Sequence, residues 1–124
     1  MSPYKALRGI ASAYTAAGQL CLHALQHAEA PGTTAGQAGL RPTTITRRQT
    51  CDMLFRAAEA HIKALPSAPG PAAGKSHLVE LDRVVHALQA QAKLPDDPSG
   101  APALLSCDQY LTHVQTLKQR SKLP

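Results

Sequence analysis

Between residues 4 and 28, apolar and small residues return at alternating intervals of three and four: Tyr4, Leu7, Ala11, Tyr14, Gly18, Cys21, Leu25 and Ala28. That spacing follows the roughly 3.6-residue turn of an α-helix and gathers these positions on one face, where a strand would need alternation by two. It predicts a helix over 3–29. Ser2 supplies a capping hydroxyl, and Pro3 stands in the first turn, where the missing amide hydrogen costs nothing. Pro31 and Gly32 end the run.

The same periodicity recurs three times. A second helix, 47–65, opens with Thr46-Arg47-Arg48-Gln49, the spacing of a capping box, with Ile45 as a hydrophobic staple. Its apolar face is Cys51, Leu54, Phe55, Ala58, Ile62 and Leu65. A third, 77–94, carries Leu78, Leu81, Val85, Leu88 and Ala92 after an extended Pro/Gly-rich linker at 66–74. A fourth, 103–121, carries Leu104, Cys107, Leu111 and Val114. The expectation is an all-α, three- or four-helix antiparallel bundle in one domain. Residues 1–94 form its main helical unit and 95–124 a helical extension. The connection at 30–45 is long for a compact bundle, which suits a functional loop or one draped over a partner. His23-Ala24-Leu25-Gln26 echoes His86-Ala87-Leu88-Gln89, and Thr50-Cys51-Asp52 echoes Ser106-Cys107-Asp108. Either an old duplicated hairpin or coincidence in a chain rich in Ala, Leu and Gln accounts for these matches.

Aromatic residues make up 3% of the chain and Trp is absent, so small aliphatic side chains must build the core. Burial stabilises by roughly 25 cal/mol per Å² of apolar surface, and alanine offers little. Marginal stability alone follows, and with it a subunit whose apolar faces another protein completes. The net charge of +5 is uneven. Residues 1–65 hold seven Lys/Arg against three Asp/Glu, and no acid precedes Glu29. A basic first half suits an acidic partner, or is simply a solvated surface. Cys21, Cys51 and Cys107 are too few and too scattered for a disulfide scaffold, and read as buried small residues in a reducing compartment. No stretch reaches the roughly 18 apolar residues of a membrane span. The acid-free start fits a mitochondrial presequence or a helix kept in the mature protein, and the helix is preferred.

Signals for chemistry are sparse. His23 and His27 stand at i and i+4, a metal-compatible spacing, but no acid or cysteine pair completes a ligand set. Arg56 and His61 match the loose Arg-x(4–6)-His pattern of HEPN-class ribonucleases, which supplies a catalytic alternative. No Gly-rich phosphate loop, nucleophile elbow or paired-carboxylate pattern is present, so the expectation is a protein that is not an enzyme. DNA recognition would rest on Arg47, Arg48 and Arg56 with only Gln49 as a base-reading amide.

Tyr4-Lys5-Ala6-Leu7-Arg8 at the head of the first helix, followed by a solitary phenylalanine, Phe55, with Arg56 after it, resembles the LYR (Leu-Tyr-Arg/Lys) motif family. Arg47 and Arg48 suit that family's basic second helix, while Pro3 replaces its leading leucine. The resemblance covers residues 3–94 at most. It implies a non-catalytic accessory subunit of a mitochondrial complex, on the matrix side, docking an acidic acyl carrier protein. Tyr4, Lys5, Leu7, Arg8, Arg47, Arg48, Phe55 and Arg56 would then be the partner-binding residues. The chain would hold no cofactor of its own. The partner's acyl-phosphopantetheine arm would put its phosphate on the bases and its acyl chain beside Ala11 and Gly18. Without the resemblance, the chain reads as a helical interaction module of unspecified partner, in a bacterial cytoplasm or elsewhere.

Overall fold

The structure, a computed structural model, describes residues 3–29, 46–96 and 103–123, whose regular secondary structure is all helical, with no strand among them. α1 spans Pro3–Glu29, α2 Arg47–Ala64, α3 Pro71–Ala92 and α4 Cys107–Arg120, with a single 3₁₀ turn at Leu65–Ser67. The long 30–45 connection, the Ser2 cap and the Ile45 staple lie outside the described residues.

Local chemistry explains the boundaries. The Thr46 hydroxyl accepts from the Gln49 backbone amide while the Gln49 side chain accepts from the Thr46 amide, so the expected capping box opens α2. The same reciprocal pair, Ser106 and Gln109, opens α4, which therefore begins at 107 rather than 103. The third helix departs further from expectation. It begins at Pro71, six residues before 77, because Gly70 adopts an extended N-cap conformation and Pro71 fits the first helical turn. The supposed linker is thus short, and α2 and α3 form a hairpin. The Thr50-Cys51-Asp52 and Ser106-Cys107-Asp108 echoes fall at different helical positions: Thr50 is inside α2, and Ser106 caps α4.

α1 and α2 run antiparallel, with Gly18 against Leu54 and Thr15 against His61. α4 lies against both α2 and α3, and closes the core. Leu54, Ala57, Ala58, Val84, Leu88 and Val114 are fully buried there. α4 is no appendage, since Cys107, Tyr110 and Val114 belong to the common core. On α3 the expected Leu81, Val85 and Leu88 face inward, and the stripe differs only at its amino end. His77 is buried while Leu78 is 39% exposed, so the inward face is His77, Leu81, Val84, Val85 and Leu88.

The cysteine reading needs correction. Cys51 and Cys107 are joined by a disulfide across the α2–α4 contact, and their Cα atoms are 5.4 Å apart. Both face the core one turn or less from their helix starts, and adjacency of α2 and α4 brings them within bonding reach. Cys21 alone is a free thiol, half-buried, and burial raises its pKa.

Candidate functional site

Three helices meet at a buried pair of histidines. α2 contributes His61 and α3 contributes His77, each 5% exposed, on opposite arms of the hairpin. Their Nδ1 atoms are 2.9 Å apart. His61 Nε2 lies 3.0 Å from Thr15 Oγ1, and His77 Nε2 lies 2.7 Å from the Tyr4 hydroxyl. Both outer partners come from α1.

The direction of every bond in this chain follows from one end. Thr15 donates its only hydroxyl hydrogen to the Ala11 carbonyl at 2.7 Å, as helix-interior threonines commonly do. Its oxygen must therefore accept from His61 Nε2–H. That leaves His61 Nδ1 bare, so His77 Nδ1–H donates to it. His77 Nε2 is then the acceptor for Tyr4 O–H. Each imidazole carries one hydrogen, and the whole series is satisfied in its neutral state. Electrostatics agrees. Burial pushes both imidazoles below their ordinary pKa; His77 further lowers His61, against a smaller opposing pull from Glu80, and the Arg8 charge further lowers His77.

Beside the pair opens a cleft of about 520 Å³ between α1 and α3, bordered by Arg8, Ser12, Ser76 and Glu80 as well as the network itself. No buried polar side-chain atom on its described walls lacks a hydrogen-bond partner, so the walls aim no unsatisfied buried group at a ligand. Among the described residues, no three His, Cys, Asp or Glu side chains are grouped to hold a metal ion.

The residues singled out from the sequence fall into separate places. Tyr4 is buried in the network. Lys5 and Arg8 are exposed, Leu7 is half-buried, and the Arg8 guanidinium stands 6.0 Å from the Tyr4 ring centre. Arg47 and Arg48 begin α2, and His61 lies thirteen helical steps beyond Arg48, about 20 Å at the helical rise. Arg48 grips both oxygens of Asp96, at 3.0 and 2.6 Å, and donates to the Leu104 carbonyl at 2.8 Å. Arg56 donates to Asp52 at 3.0 Å and lies over the Tyr14 ring. Phe55 is half-buried against Tyr110 and His113. The five bases therefore do not make one patch: Lys5 and Arg8 stand at one end of α2, Arg47 and Arg48 at the other.

Two further expectations meet the geometry directly. A Cβ on Gly18 would stand 2.9 Å from Leu54 Cδ2, and Ala11 is fully buried, so the small residues seat α2 closely and leave no channel for an acyl chain. Arg56 and His61 do not converge: one faces Asp52 and Tyr14, the other His77 and Thr15. The His23 and His27 rings meet edge to face, their centres 4.2 Å apart, on the exposed side of α1.

The Tyr4–His77–His61–Thr15 series itself was not anticipated. Its signal lay in the periodicity. His61 sits at the 3–4 spacing of Leu54, Ala58 and Leu65, and His77 continues Leu81, Val84 and Leu88 toward the amino end of α3. A histidine on an inward stripe needs a buried partner. Comparison with protein-family models, curated proteins and solved structures finds no match to the chain.

Proposed function

We propose that the chain is a non-catalytic helical accessory subunit that docks an acidic protein partner along the outer side of α1. The observation that carries this reading is the makeup of that side. No acid precedes Glu29, Ile10 and Leu20 are 47% and 71% exposed, and Lys5 and Arg8 are exposed on the adjoining side, toward the α1–α3 cleft. Ala6, Ala13, Ala17 and Ala24 stand with Ile10 and Leu20 at 3–4 spacing, which suits close approach of a second helix. A partner with small apolar residues would meet the stripe, and its carboxylates would have to reach round the amino end of α1 to Lys5 and Arg8. Among the described residues, no helix is long and apolar enough to cross a membrane.

The acyl carrier protein implied by the LYR-like residues has that acidic character and is the partner to test first. Lys5 and Arg8 would supply its charge-assisted contacts. Arg48 and Arg56 already hold carboxylates of this chain and would contribute less. With Gly18 closed by Leu54, an acyl chain would enter by the cleft beside Tyr4 and Arg8. A second reading, another acidic helical partner outside the mitochondrial matrix, is favoured by the Cys51–Cys107 disulfide, because such bonds persist in oxidising compartments.

Co-expression with acylated carrier protein, followed by mass spectrometry of the purified complex, tests the first reading. The Lys5→Glu, Arg8→Glu chain should lose the carrier and Lys118→Glu should keep it. A complex indifferent to the charge reversal would sink the α1 docking surface altogether. Absence of carrier from the complex leaves the second reading, provided the same reversal abolishes capture by an acidic helical peptide in oxidising buffer.

A further inference from the structure

We propose that His61 and His77 form a proton-operated latch that holds the first half of α1 against the α2–α3 hairpin and releases it in acid. Two side chains of α1 reach the other helices by hydrogen bonds through this pair, Tyr4 to His77 and Thr15 to His61. Beyond them, from Gly18 onward, α1 is seated by apolar packing on Leu54. The first half is thus fastened by titratable groups and the second half is not.

The proton count decides the behaviour. In the closed state each imidazole carries one hydrogen, and the 2.9 Å gap between the two Nδ1 atoms has room for one hydrogen only. A first added proton can go to His77 Nε2 if the Tyr4 hydroxyl turns to accept. A second must go to His61 Nδ1, which would set two N–H groups of two cations head to head inside the protein. That arrangement cannot hold. Opening admits water and lets both rings take up protons at their ordinary value of about 6.5. Below that value, each proton taken up on opening favours the open form by up to about tenfold per pH unit.

The surrounding charges set the bias. From α1, Arg8 borders the cleft and opposes a cation on His77, while the Tyr4 hydroxyl faces the ring directly. From α3, Glu80 favours a cation at His61, but Arg83 draws on the same carboxylate at 3.3 Å. Release of α1 swings Tyr4 and Arg8 away together, widening the cleft on the side where Lys5 also stands. The proton is taken from water and returned to it, and no covalent bond changes.

Amide hydrogen exchange of the full chain at about pH 7.5 and about pH 5, on either side of the ordinary imidazole value, reads the latch directly. After correction for intrinsic exchange, local opening across residues 4–15 should rise at least about tenfold in acid. The amides of Leu54, Val84 and Leu88 should change less. In the His61→Gln, His77→Gln chain, whose amides can hydrogen-bond but not titrate, that rise should vanish. Uniform protection of α1 at both pH values, or a rise that persists in the double variant, overturns the proposal. Should the double variant fail to fold, Tyr4→Phe takes its place. Its residues 4–11 should then open near neutrality as the native chain does in acid, and full native protection there overturns the latch equally.

Discussion

Tyr110 donates its phenolic hydrogen to Asp52 Oδ1 at 2.8 Å, across the contact of α4 with α2, while Arg56 donates to the other oxygen of the same carboxylate at 3.0 Å. Asp52 is 7% exposed and the tyrosine 5%, so the buried Oδ1 relies on Tyr110 for its hydrogen bond while the other oxygen keeps Arg56. Burial, followed by the bond to Asp52, pushes the Tyr110 pKa up to about 12. Removing the tyrosine hydroxyl strands Oδ1. Tyr110→Phe should destabilise the fold by about 1–3 kcal/mol in chemical denaturation, the cost of a buried acceptor left without its donor.

The raised value also fixes a pH dependence. The unfolded tyrosine ionises near pH 10, where the folded one still keeps its proton. Stability from this group is therefore whole below about pH 10, and declines as pH rises toward the folded value of about 12. Ultraviolet titration of the folded chain should show a late phenolate step that Tyr110→Phe removes. A native chain whose tyrosines all ionise before unfolding begins would contradict the buried pair.

The disulfide spans 56 residues, so its loss should be felt globally. In the chain-entropy account, a loop of that length stabilises by about 4 kcal/mol, and reduction or Cys51→Ser with Cys107→Ser should cost about that. Thiol titration in denaturant should find one free thiol, Cys21, before reduction and all three after it. Three reactive thiols at the outset would remove the cross-link.

The two glycines of α1 should respond in opposite senses. A Cβ at Gly9 would meet nothing within 4 Å, so Gly9→Ala should stabilise by about 1 kcal/mol through helix propensity alone. At Gly18 an added side chain meets the buried Leu54, and Gly18→Val should cost about 1–3 kcal/mol by overpacking. Thermal melts of the two variants decide the matter. Equal shifts would mean that α1 and α2 are not closely seated at this point.

Helices were legible where local chemistry and periodicity agreed. α1 and the Thr46–Gln49 box follow from spacing and cap residues that act within a few positions of one another. The Pro71 start was not, because PSAPGPAAG carries the same residues whether it forms a linker or a turn followed by a helix. Pairings between helices were the least legible. Cys51–Cys107, Tyr110–Asp52 and His61–His77 join residues far apart in the chain, and only the packing of α2 against α3 and α4 brings them together. Leu78 shows the limit of periodicity. It fits the 3–4 stripe on paper, yet at the amino end of α3 it is His77, at the same stripe's edge, that turns inward toward Tyr4 and His61.

The salt bridge of Arg48 should prove structural. Arg48 binds Asp96 and the Leu104 carbonyl together, tying the start of α2 to both flanks of the segment before α4. Arg48→Gln should lower stability by about 1–2 kcal/mol, through loss of charge-assisted bonds. Binding of an acidic partner at Lys5 and Arg8 should be unchanged in the same variant. A drop in affinity without a drop in melting temperature would reverse that assignment.

The disulfide closes a covalent ring from Cys51 to Cys107, and α1 lies outside it. α2, α3 and the head of α4 thus form a receptor held together by a bond, and α1 is in effect its ligand, tethered through the 30–45 segment. Covalent tethering raises the concentration of α1 at the ring far above that of a dilute free peptide. A free helical peptide with the α1 sequence would have to approach that concentration to displace the native arm. A partner that draws α1 away from the ring must overcome the same local excess.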